Sequence, residues 1–149
     1  MVSVIEKMNL MIASENIIQV RYDEVDKMGY VYHGNYARYY HISRTELLRK
    51  VGISDRELED QNIIIPVIEM NIRYIKPVFY DDFITIRTRL LELPEIRMKF
   101  QHEVINQHGE VINVASSILV FVDSITRKPM RVPGIVRSKI DLYIKNKNQ

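Results

Sequence analysis

The chain contains no cysteine. That excludes a disulfide framework, a cysteine nucleophile and a zinc–thiolate site. It also lacks any apolar run long enough to span a bilayer. The opening residues, MVSVIEKMNLMIASENI, are partly apolar, but Glu6 and Lys7 interrupt them early. They do not read as a secretory leader, so a cytoplasmic location is expected, with residues 1–15 as an N-terminal tail. No repeat, low-complexity tract or linker divides the sequence. No Gly-rich phosphate loop and no Gly-x-Ser-x-Gly elbow is present. The four histidines, His33, His41, His102 and His108, lack the His-x-x-x-His spacing of a helical metal site. Neither a metal nor a resident cofactor is therefore expected.

What is present suits one domain: 149 residues, 46% hydrophobic and 27% charged. The net charge of +2 is unevenly spread. From Arg127 onward seven Lys or Arg face one acid, Asp141, which leaves the rest of the chain at −4. A basic C-terminal fifth fits an anionic partner or a solubilising tail. The modest total charge and the absence of any reader motif argue against nucleic acid.

Residues 17–22 (IIQVRY) predict a first strand. Residues 23–35 hold two glycines and many polar side chains, as in a long loop. Asn35 is expected to cap a helix to about Lys50, with Tyr36, Tyr40, Ile42, Leu47 and Val51 mostly at three- and four-residue spacings and Gly52 ending it. Ser54 and Glu57 form a capping-box pattern for a second, short helix. Residues 63–75, 83–93, 97–106 and 111–123 then read as strands, and residues 134–146 as a terminal helix. The last three strands are joined by short turns and should pair antiparallel. The fold class is α+β, one helix covering one face of an antiparallel sheet. Residues 111–123 are apolar on both faces for much of their length. The second face is therefore expected to be buried against another copy, giving an oligomer.

Chemistry concentrates in YDEVDKMGYVYHGNY, residues 22–36. Three carboxylates, Asp23, Glu24 and Asp26, lie close together here, and spacing alone does not choose among them. A carboxylate in a loop before a helix sits beside unpaired backbone N–H groups. It can attack a carbonyl carbon or activate water, while those N–H groups hold the developing oxyanion. His33, at the helix start, can orient water or hydrogen-bond the carbonyl. The aromatics Tyr36, Tyr39 and Tyr40 read as core and pocket wall.

This segment resembles the hot-dog thioesterases of the 4-hydroxybenzoyl-CoA thioesterase type, especially their bacterial YbgC-like branch. The resemblance continues through Arg44, Thr45 and Glu46, through Tyr74 to Pro77, Asp82 and KPMRVP (residues 128–133), and covers about residues 17–133. It implies a single hot-dog domain over residues 1–149, the sheet wrapped around the long helix, with residues 134–149 as an extension. It implies acyl-CoA hydrolysis with Asp26 as general base or nucleophile and the backbone at His33 and Gly34 polarising the thioester carbonyl. Tyr32 and Tyr36 would line the substrate site. Arg97, Lys99, Arg127, Lys128 and Arg131 are the candidate contacts for the CoA phosphates. The family places its sites between subunits, so a homodimer or homotetramer is expected. Acyl-ACP hydrolysis and non-catalytic acyl-CoA binding are the alternative functions. Glu46 is expected to pair with a cation rather than to react.

Overall fold

The structure is a computed structural model and describes residues 12–148. Its strands are β1 (Ile12–Gln19), β2 (Ile63–Ile64), β3 (Val67–Tyr74), β4 (Phe83–Leu90), β5 (Arg97–Asn106), β6 (Val111–Asp123) and β7 (Pro129–Met130). Its helices are α1 (Asn35–Val51), α2 (Asp55–Asp60) and α3 (Gly134–Lys147), with a 3₁₀ turn at Tyr22–Glu24. All strand pairs are antiparallel, in the order β1-β4-β5-β6-β3, while β2 and β7 pair with the last residues of β6. The long helix α1 lies across β1 and β4. It ends at Gly52, whose φ of 95° is the left-handed conformation that favours glycine.

Several boundaries differ from the sequence reading. β1 begins at Ile12, so residues 12–15 belong to the sheet and not to a tail; the rest of the expected tail, residues 1–11, lies outside the described residues. The strand escaped notice because its inward positions include Ser14 and Asn16, which hide the alternation. Arg21 and Tyr22 are not in it, because the chain turns there into the 3₁₀ segment. The expected strand over residues 63–75 is broken at Pro66, and a bulge follows between Val67 and Glu69. The strand expected over residues 83–93 stops at Leu90. Asn35 does not cap α1 but is its first residue; its side-chain amide donates to the Glu24 carbonyl at 2.8 Å, tying the helix start to the preceding loop. The C-terminal helix α3 is part of the core, since Val136 and Ile140 are fully buried.

The core has two apolar clusters. One gathers Leu47, Leu58, Phe100, Phe121, Val136 and Ile140; the other gathers Val31, Tyr36, Tyr40, Ile84, Ile86 and Ile112. Buried polar side chains lie between them: Ser43 and Arg44 of α1, Ser14 of β1, Thr88 of β4, His102 of β5 and Ser117 of β6. The Ser14 hydroxyl meets no partner among the described residues; the hydrogen bonds of the others run in one direction. Arg44 donates to Ser117 Oγ (3.5 Å), and Thr88 donates to Ser43 (2.6 Å). His102 bridges them, its Nδ1 2.9 Å from Thr88 and its Nε2 2.8 Å from Ser117. With the Thr88 hydroxyl donated to Ser43, His102 carries its proton on Nδ1 and accepts from Ser117 at Nε2. The ring is 4% exposed. Burial, with the Arg44 cation close by, holds its pKa down at about 3, so it is neutral at pH 7.

Tyr40 donates to the Asn113 Oδ1, and the Asn113 amide nitrogen has no partner among the described residues. Tyr40→Phe would leave that whole amide buried and unsatisfied. It is expected to cost about 1–3 kcal/mol, read from denaturant midpoints.

The outer face of the sheet is not the apolar surface expected. Glu15, Arg87 and Glu103 stand side by side on β1, β4 and β5. Arg87 bridges both acids, at 2.7 and 2.6 Å, and Arg89 joins Glu103 at 3.7 Å. Apolar residues share that face: Val114, Ile118 and Val120 of β6, Ile105 of β5 and Ile17 of β1, the last well exposed. Apolar residues are also exposed at the β3 edge, at Val67, Ile68 and Tyr74.

Candidate active site

The loop between the 3₁₀ turn and α1 is shaped by its own backbone. Asp26 N–H donates to the Tyr30 carbonyl (2.8 Å) and Gly29 N–H to the Asp26 carbonyl (2.9 Å), a turn that Gly29 closes with φ 82°. The Asp26 carboxylate sits inside this turn. Its Oδ1 accepts from Met28 N–H at 2.9 Å and Tyr30 N–H at 3.3 Å. Its Oδ2 has no partner among the described residues. Val31 bridges back to Val25, and Tyr30 to Phe79, fixing the loop against the chain that follows β3.

Asp26 opens onto a cleft of about 290 Å³, lined also by Met28, Tyr30, His33, Tyr36, Tyr74, Ile75 and Lys76. The His33 carbonyl accepts from the Tyr74 hydroxyl at 3.1 Å, which pins the start of α1 to β3. The His33 ring hydrogen-bonds no described residue, Asp26 included. It packs on Tyr32 (ring centroids 4.4 Å) and meets the edge of Tyr74 (6.4 Å). Burial and the neighbouring Tyr74 push the Tyr36 phenol up to about 12, so it remains a hydrogen-bond donor at neutral pH. Gly34 precedes α1 without a side-chain cap. Neither His33 N–H nor Gly34 N–H meets an acceptor among the described residues. The Tyr32 ring lies over Gly34, where an added Cβ would stand 2.7 Å from it.

The rival carboxylates are placed differently. Glu24 is buried; its Oε1 accepts from Arg21 N–H at 2.7 Å, and its carbonyl holds Tyr32 N–H and Asn35. Asp23 is exposed on the 3₁₀ turn. Glu46 pairs with Arg49 at 2.6 Å. Among the described residues no group of three or more His, Asp or Glu could hold a metal ion.

Asp26, His33 and Tyr36 therefore share one cleft, with Tyr32 and Gly34 at its border. The basic candidates do not join them within this chain. Arg97 and Lys99 begin β5 and pair with Val120 and Ile118, while Arg127, Lys128 and Arg131 flank β7 beyond the end of β6. The cleft is at the Asn113 end of β6, opposite Tyr74. Seven residues of strand separate Asn113 from Val120, about 23 Å. The nearby cation is Lys76, held by Glu110. Tyr74 and Lys76 line this cleft too, and the sequence carried them without a role assigned. Their signal was the Tyr-x-x-Pro step that brings the chain from the end of β3 into the loop beside Tyr30.

Residues 20–140 match the thioesterase-like superfamily. The acyl-CoA thioester hydrolase YbgC of Escherichia coli O6:H1 is 29% identical over 116 residues, covering 78% of this chain and 87% of that protein. The crystal structure of a DHNA-CoA thioesterase from Staphylococcus aureus superposes with a TM-score of 0.80 at 31% identity, covering 92% of this chain and 95% of that one. A 4-hydroxybenzoyl CoA thioesterase mutant, solved with 4-hydroxybenzoyl CoA, shares the fold at TM-score 0.78 and 19% identity, covering 87% and 99%. The turn that holds Asp26 before an uncapped helix, set on this sheet, thus sits in a chain that belongs to the thioesterase-like superfamily, among the hot-dog thioester hydrolases of the 4-hydroxybenzoyl-CoA thioesterase type and its YbgC-like branch.

Proposed function

We propose that this chain hydrolyses an acyl-CoA thioester to a free carboxylic acid and CoA at the Asp26 cleft. The observation that carries the reading is the divided carboxylate: one oxygen held by two N–H donors, the other unclaimed and facing a cleft at the N-terminus of α1. As general base, Asp26 takes a proton from water as the oxygen adds to the thioester carbon. The carbonyl oxygen becomes an oxyanion facing the unclaimed N–H groups of His33 and Gly34. Collapse breaks the C–S bond, and the Asp26 proton passes to the leaving thiolate. As nucleophile, Asp26 would instead add to the thioester carbon and expel the CoA thiolate, leaving a mixed anhydride; water then cleaves it to the free acid and the Asp26 carboxylate, and the proton released goes to the thiolate. His33 then has an orienting role. His33→Ala is expected to slow turnover roughly tenfold, about 1.4 kcal/mol of transition-state stabilisation; an unchanged rate would mark a packing residue.

The functional unit in this reading is a homodimer, which can pair again into a homotetramer. β3 pairs only with β6 among the described residues and leaves eight residues of edge open. Joining two such edges antiparallel about a twofold axis sets the far end of one sheet beside the near end of the other. Arg97, Lys99, Arg127, Lys128 and Arg131 of one protomer then approach the cleft of its partner and meet the CoA phosphates. Light scattering tests this: a monomer with full activity would end the shared-site argument. Activity itself is tested by thiol release from a panel of acyl-CoA esters, aliphatic and aromatic, with ACP esters alongside. Turnover of none would leave acyl-CoA binding without catalysis as the remaining reading.

A further inference from the structure

Arg44 is a cation without a counter-ion. It is 5% exposed, and among the described residues no carboxylate lies within 4 Å of it. Its one side-chain hydrogen bond among the described residues, to Ser117 Oγ, is long at 3.5 Å and leaves most of its five donors unused there. Burial alone lowers its pKa. Isolated buried charge of this kind costs several kcal/mol, and a fold retains it more readily where an anion or strong acceptor arrives to meet it.

Its position says where such a group would come from. Tyr36, Tyr40 and Arg44 are spaced four residues apart on one face of α1. Asn113, Ala115 and Ser117 keep step on β6, paired with Tyr74, Ile72 and Met70 on β3. Tyr36 and Tyr74 line the Asp26 cleft. Tyr40 meets Asn113, and Arg44 meets Ser117. Because α1 lies across β1 and β4, it leaves Ile72, Met70 and Ala115 only partly buried. These side chains connect the cleft to the guanidinium over eight helical residues or about 12 Å: Tyr40, Asn113 and Ser117 are closed between helix and sheet, and Ile72, Met70 and Ala115 form the partly buried apolar side along which an acyl group would pass.

We propose that Arg44 determines acyl-group specificity, receiving a hydrogen-bond-accepting or anionic substituent, such as a phenolic oxygen or a carboxylate, at the end of the acyl group remote from the thioester. This rests on the Asp26 cleft being the thioester site. The favoured substrate is then an acyl group that is apolar along most of its length and polar at its tip.

The test uses matched pairs of esters: suberyl-CoA against octanoyl-CoA, and a ring-hydroxylated naphthoyl-CoA against naphthoyl-CoA. Wild type, Arg44→Met and Arg44→Lys are compared, with thermal melts to check folding. Wild type should favour the acceptor-bearing ester in at least one pair by about tenfold or more in kcat/KM, the scale of one charge-assisted hydrogen bond. Arg44→Met should erase that ratio, and Arg44→Lys should restore part of it. A wild-type ratio near one in both pairs overturns the proposal. So does an equal loss on both members of a pair in Arg44→Met, which is what a purely structural role predicts. If Arg44→Met fails to fold, an unchanged ratio in Arg44→Lys overturns it and a reduced one supports it. If wild type turns over no ester, the hydrolase reading falls separately. Calorimetric binding of the same pairs then decides the role of Arg44 by the same ratios.

Discussion

Asp26→Asn is expected to lower kcat by about 10²- to 10⁴-fold, the range general acid–base catalysis contributes, with little change in affinity for the ester. The amide keeps an Oδ1 that can accept from Met28 and Tyr30 N–H, so the turn closed by Gly29 should survive. What the variant loses is the proton acceptor and the nucleophile. Measuring thiol release and ester binding on the same preparation separates the two effects. A variant with full activity would remove Asp26 from the chemistry. A variant that neither binds nor melts like wild type would show that the carboxylate holds the loop rather than the reaction. Glu24 serves as the internal comparison, since its carboxylate caps the 3₁₀ turn. Glu24→Gln should act on stability more than on kcat.

Acid should destabilise the fold through His102 before the carboxylates titrate. The ring has a folded pKa of about 3 against an ordinary 6.5, because burial and then Arg44 disfavour its cation. Below pH 6.5 the unfolded chain takes up a proton that the folded chain refuses until about pH 3. The His102 contribution is therefore complete above pH 6.5 and declines as the pH falls through that window. The full gap corresponds to roughly 5 kcal/mol, and the part lost by pH 5 to roughly 2 kcal/mol. The larger figure is comparable with the whole stability of a small domain. Urea unfolding of wild type and His102→Gln at pH 7 and pH 5 reads the effect. The glutamine retains a donor and an acceptor for Thr88 and Ser117 but takes up no proton. A parallel loss in both proteins would assign the acid sensitivity to other groups.

Much of the architecture was legible because local signals agreed. Gly52 stops α1, and Ser54 accepts from Glu57 N–H as a cap should. Asn106 and Gly109 turn β5 into β6. Around Asp26 the local signals reached only as far as a glycine turn before a helix start; they left Asp23, Glu24 and Asp26 open, and the family resemblance alone preferred Asp26. What escaped depends on distant parts of the chain. β1 was cut short because Ser14 and Asn16 point inward as polar groups. The charged outer face was missed because Glu15, Arg87 and Glu103 come from three strands and become neighbours only in register. The basic residues were assigned to the cleft by charge alone, whereas strand length separates them from Asp26 within one chain. Arg44 entered the sequence reading only as one of the residues that carry the family resemblance, with no place in the core assigned to it. Its burial follows from the side of α1 that faces β6, which periodicity does not weigh for a charged residue.

The polar layer running from Ser14 to Ser117 also bears on how such a domain changes over generations. It stands between the cluster around Phe121 and Ile140 and the cluster around Tyr36 and Ile112. Substitutions on opposite sides share few contacts, so their energetic effects should add. Costs on the two sides are therefore drawn from one common margin of about 5–15 kcal/mol, and a substitution that reshapes the half beside Asp26 can be offset by an unrelated gain in the half with α2 and α3, without the two having to fit each other.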